Sequence, residues 1–73
     1  MMEFKETQAI LDEVASFDLQ PSESKDVDIR IVCWEYARGL ANELNDIGDE
    51  SLWFSPNYSF SGFIIEVRRM GDS

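Results

Sequence analysis

Along residues 3 to 18, Ile10, Val14 and Phe17 recur at spacings of four and three, with Thr7 and Leu11 flanking them. That period predicts an amphipathic helix with Asp12 and Glu13 turned away from its apolar side. Residues 18 to 24 break it, because Pro21 disfavours helical geometry at Gln20 and the serines on either side of Glu23 suit a turn or a new cap. Between residues 25 and 47, Ile29, Val32, Cys33, Tyr36, Leu40, Leu44 and Ile47 are spaced 3, 1, 3, 4, 4 and 3 apart. These positions form a helical stripe about 120° wide and predict a second, longer helix. Asp26 is placed to cap its start, Asp28 to meet the positive end of its dipole, and Asp26 to pair with Arg30 one turn on. Gly48 is placed to end it in the left-handed conformation. A rival pattern runs through the first part of this stretch. Val27, Ile29, Ile31 and Cys33 alternate with Asp28, Arg30 and Val32, which reads as a strand over residues 26 to 33. The helix is preferred because its apolar face continues without a break to Ile47.

Residues 51 to 70 read as β. Leu52-Trp53-Phe54 is a short apolar run, and Pro56 and Asn57 stand where a type I turn takes them. Tyr58 and Phe60 follow, then Phe63, Ile65 and Val67. The inward parity changes between Phe60 and Phe63, which a bulge at Ser61 and Gly62 accounts for. A second tight turn there, giving three short strands, is the alternative. Trp53 and Phe54 cannot both point inward along a strand. An isolated hairpin is unstable in water, so it must pack on the helices. The expected fold is α+β: two helices followed by a C-terminal antiparallel β-hairpin, layer on layer, in a single domain over residues 1 to 73.

Composition narrows the function. A chain of 73 residues buries only about 60% of the surface its unfolded form exposes, so every large apolar residue matters. A hydrophobic fraction of 44% and nine aromatic residues suffice for one core and argue against disorder. Fifteen Asp and Glu against six Lys and Arg give a net charge of -9. Such a chain repels nucleic-acid phosphates and anionic membranes and is drawn to basic surfaces. The beginning of the chain shows no basic region followed by an apolar run, and no apolar run is longer than the four residues Ile31-Val32-Cys33-Trp34. The expectation is a cytoplasmic protein without a signal peptide or membrane span.

Catalysis, cofactors and metals find little footing. The chain has no His, which removes the commonest general base and metal ligand. Cys33 is the single cysteine; lying in the apolar stripe of the expected helix, it reads as a small core residue. No phosphate-cradling glycine loop occurs. The acidic run from Asp46 to Glu50 lacks the alternation of a calcium loop and reads as a solvated helix end. No enzyme activity, cofactor or metal is expected.

Surface chemistry points to protein binding. On the expected second helix, with Ile29 at 0°, Trp34 falls near 140° and Ile31 near 200°, with Arg38 and Ala41 beside them at about 100° per residue. A large indole opposite the core stripe is either covered by another element or an interaction surface. Trp and Arg are the residue types that most often dominate interface energy. Asp28, Glu35 and Asp46, with Asn42 near them, form an acidic row on the same helix, spaced in a way that faintly imitates a phosphate backbone. The candidate protein-binding site is therefore Ile31, Trp34, Glu35, Arg38, Asn42 and Asp46. The function expected is a small acidic inhibitor or neutraliser of a basic, nucleic-acid-handling protein, acting by charge-steered surface blocking. Phage-encoded inhibitors of host defence and bacterial immunity proteins share this general build, an analogy that carries no residue across. The alternative is an assembly module acting as a homodimer or as a small subunit of a complex.

Overall fold

The computed structural model describes residues 4–71, so Glu3, where the first predicted helix begins, lies outside the described residues. The element order is α1 (Thr7–Ala15), β1 (Ser24–Ile31), α2 (Trp34–Ile47), β2 (Leu52–Ser59) and β3 (Gly62–Arg69). The three strands form one antiparallel sheet in the order β1-β3-β2. The fold is α+β, with two helices and a C-terminal hairpin as the pattern predicts, and a third strand that comes from the first part of the expected second helix.

That strand is the main departure from the sequence reading. Residues 24 to 31 alternate, with Val27 and Ile31 buried and the polar residues between them exposed. The β-branched residues Val27, Ile29 and Ile31 fit a pleated, half-buried surface better than a helix. The 3.6-residue stripe through Ile29, Val32 and Cys33 is a coincidence of spacing. Asp26 therefore caps nothing and makes no helical pair with Arg30; it sits opposite Glu66 on β3. Asp28 also lies in β1, where its N–H reaches Glu13 Oε2 on α1 at 3.3 Å. α2 starts only at Trp34. Its first intrahelical acceptor is the carbonyl of Cys33, which stands extended at the N-cap and is exposed rather than in the core.

The buried stripe of α2 is Ala37, Leu40, Ala41 and Leu44, so Ala41 faces inward and not beside Trp34. Gly48 ends the helix with an extended backbone, not a left-handed one. Its lack of a side chain serves space: a Cβ there would stand 2.6 Å from the Leu44 carbonyl and 3.2 Å from Leu11. α1 buries Thr7, Ile10 and Val14. No side chain of its own caps its start. Glu43 of α2 ties down the approach to the helix, accepting the Phe4 N–H at 3.2 Å and the buried Thr7 hydroxyl. These contacts set the helices side by side and parallel, with Phe4 against Gly39, Thr7 against Glu43 and Leu11 against Gly48.

Pro56 and Asn57 lie inside β2, and the chain reverses at Phe60 and Ser61. Tyr58 and Phe60, expected on an inward-facing strand, are exposed, and in place of a bulge at Ser61 and Gly62 there is a tight turn at Phe60 and Ser61, with Gly62 opening β3. β2 is an edge strand, where a proline whose nitrogen faces outward removes no ladder bond. Of the adjacent pair in β2, Phe54 is buried and Trp53 exposed. The core joins Ile10, Val14, Val27, Leu40, Leu44, Phe54, Ile65 and Val67 between the helices and one face of the sheet. No described helix is long and apolar enough to cross a membrane.

Candidate protein-binding face

β1 runs straight into α2 through Val32 and Cys33, which places Trp34 at the helix N-terminus, beside the β2–β3 reversal. The indole stacks on Tyr58 at 5.8 Å between ring centroids with 14° between planes, and meets Phe63 edge-on at 5.4 Å. Tyr58 and Phe63 are themselves 5.7 Å apart. Trp34 is thus pinned by two rings while 39% of it stays exposed.

From this aromatic head a groove runs along α2, lined by Trp34, Glu35, Arg38, Gly39 and Asn42. Gly39 admits the Phe4 ring against the helix, since a Cβ there would stand 3.0 Å from it. Four of the six residues singled out from sequence therefore share one groove. Asp46, also exposed, lies one turn beyond Asn42. Ile31 does not belong with them: it is 5% exposed at the end of β1, inside the core. The acidic row loses Asp28 to β1, and the remaining carboxylates, Glu35 and Asp46, are about 16 Å apart along the helix axis. That is too sparse to imitate a regular phosphate backbone.

Three exposed residues at the same end of the molecule escaped the sequence reading. Val32 is 82% exposed, Tyr58 77% and Phe60 fully so. The signal for Phe60 was its place in Ser-Phe-Ser-Gly, small polar residues that favour a chain reversal. A second groove behind Trp34 is lined by Lys5, Glu6, Arg30, Val32, Cys33 and Tyr36, among others. Here the Tyr36 hydroxyl donates to Glu6 Oε1 at 2.5 Å. That hydrogen bond holds the Glu6 carboxyl below its ordinary value and raises the Tyr36 hydroxyl above its own.

Charge is distributed unevenly between the two ends. Lys5, Arg30 and Arg38 stand around the aromatic end together with Glu6 and Glu35. Asp18 and Asp49 line a cavity at the other end, where both helices finish, and Asp46 and Glu50 lie beside it in sequence. Asp49 accepts the Ser51 N–H and hydroxyl, both at 2.9 Å, and these bonds hold its carboxyl below the ordinary value. Comparison with protein families, with curated proteins and with solved structures finds no match to this chain, so the reading of its function rests on these residues alone.

Proposed function

We propose that this chain is a non-catalytic, cytoplasmic protein-binding domain whose partner presents a basic surface, and that it inhibits a nucleic-acid-handling protein by covering that surface. The observation that carries the reading is the groove on α2. Trp34 is held rigid at its head, and Glu35, Arg38 and Asn42 continue along it, with Asp46 one turn further. A pinned aromatic loses little conformational freedom on binding, and such residues dominate interface energy. The net charge of -9 steers a basic partner in and turns nucleic acid away.

Affinity capture from a cell extract with the wild-type chain and with Trp34→Ala tests this, with circular dichroism confirming that the variant is folded. The expected result is a basic protein retained by the wild type, lost with Trp34→Ala, and associating more slowly as salt rises. Equal capture by both proteins, or association indifferent to salt, overturns the reading.

A further inference from the structure

The two ends of the molecule are complementary. At one end Phe60 stands fully exposed at the apex of the hairpin, between the hydroxyls of Ser59 and Ser61. The apex is braced, because Gly62 lies so close to the end of β1 that a Cβ would stand 2.4 Å from the Ile31 carbonyl. At the other end a cavity of about 460 Å³ opens where the helices finish, walled by Leu11, Leu19, Ile47 and Leu52. That space accommodates a phenyl side chain with room to spare. Arg69 also lines it, and its Nε is buried with no hydrogen-bond partner among the described residues.

We propose that copies of this chain associate head to tail, the Ser59-Phe60-Ser61 apex of one seated in the Arg69 cavity of the next. The ring fills the apolar space and lies near the guanidinium, a favourable cation–π arrangement. Charge fixes the polarity of the contact. Among the lining residues, the apex end carries Lys5, Arg30 and Arg38 against Glu6 and Glu35, and the cavity end carries Asp18 and Asp49 against Arg69, so the two ends differ in the sign of their excess charge. A head-to-head pair would set this positive excess against its own copy, whereas head to tail it meets the negative excess of the cavity end. Knob and socket lie on opposite ends of one molecule, so the contact is heterologous and does not close on itself as a twofold dimer does. The α2 groove stays free, and the function proposed above stands or falls separately.

The test uses two surface variants. Phe60→Ser removes the knob. Ala15→Lys, at an exposed position on the cavity rim, blocks the socket with a residue that helices favour at their C-termini. Analytical ultracentrifugation of the wild type from micromolar to millimolar concentration is expected to show mass rising past that of a dimer. The rise should be stronger at about 0.15 M salt than in dilute buffer, because the long-range repulsion between two acidic molecules is then screened. Each variant alone should stay at 8.4 kDa throughout, as judged against its folded circular dichroism spectrum. An equimolar mixture should form a dimer and stop there, since it holds one working knob and one working socket. A wild type that remains monomeric at millimolar concentration overturns the proposal. So does self-association that survives in either variant alone, or a mixture that fails to dimerise although the wild type assembles.

Discussion

At the scale of single residues, most of the chemistry lies in carboxylates that hold backbone or hydroxyl groups. Glu6 and Tyr36 are coupled in opposite directions: the bond needs Glu6 ionised and Tyr36 protonated. Glu6 is depressed below 4.5, so its contribution is fully present above pH 4.5 and lost as pH falls through its lower folded value. Tyr36 is raised above 10.0, so its contribution is present below pH 10 and lost as pH rises through its folded value. Tyr36→Phe should therefore lower the urea midpoint at pH 7 and cost progressively less below pH 4.5, where the two proteins converge. A constant difference down to pH 2 would show that ring packing against Phe4, rather than the hydrogen bond, is what the hydroxyl variant disturbs. Glu43 makes a sharper case, since Thr7 is fully buried. Glu43→Ala leaves the Thr7 hydroxyl without this acceptor and should cost on the order of 1–3 kcal/mol in urea unfolding. Glu43→Gln retains an acceptor oxygen and should cost less.

At the scale of elements, β2 shows how an exposed sheet edge is closed. Asn45 of α2 donates to the Phe54 carbonyl at 2.8 Å and accepts the Phe54 N–H at 2.7 Å. Those groups point away from β3, and alternation turns the backbone of Leu52, Pro56 and Tyr58 the same way. Each of their donors is accounted for. The Leu52 N–H goes to the Asp49 carbonyl, Pro56 has no N–H, and the Tyr58 N–H goes to the Asn57 side chain. Such an edge offers little to a strand from another molecule. Asn45→Ala with Pro56→Thr should reopen it. The double variant is expected to lose about 1–3 kcal/mol of stability and to form thioflavin-positive aggregates, while the wild type does not. The same strand explains why its turn was misread. Pro56-Asn57 is good turn chemistry locally, and only the edge position, a property of the sheet, makes proline acceptable in a strand. β1 was hidden for a related reason. Its alternation was visible in Val27, Ile29 and Ile31, yet a short strand leading directly into a helix merges two periods into one apparent stripe. The groove was legible because Trp34 to Asp46 lie on one true helix, where angular arithmetic holds. Ile31 failed because that arithmetic was carried across an element boundary, and Phe60 was missed because strand parity was counted through a turn.

At the scale of the whole molecule, the parallel helices decide where charge is tolerated. Antiparallel neighbours would cancel their dipoles, whereas α1 and α2 bring both negative ends to the same place. That place also holds Asp18 and Asp49, and Arg69 is the cation lining the cavity between them. Two effects compete there. Replacing Arg69 by Met removes an Nε–H that is buried and unpaired among the described residues, a relief of about 1 kcal/mol. It also strips the cation from two helix C-termini and their carboxylates, a loss of up to about 2 kcal/mol in a partly buried setting at low ionic strength. The electrostatic loss is screened by salt, and the cost of the unpaired donor is not. Arg69→Met should therefore destabilise the fold by about 1 kcal/mol in dilute buffer, and the deficit should shrink and then reverse, toward about 1 kcal/mol of net stabilisation, as salt approaches about 1 M. Urea unfolding at several salt concentrations checks this without adding a denaturant that is itself a salt. A deficit independent of salt would mean that the aliphatic stem of Arg69, and not its charge, supports the cavity wall. The socket into which the apex of a second copy fits would then be shaped by packing, with its polarity left to Asp18 and Asp49.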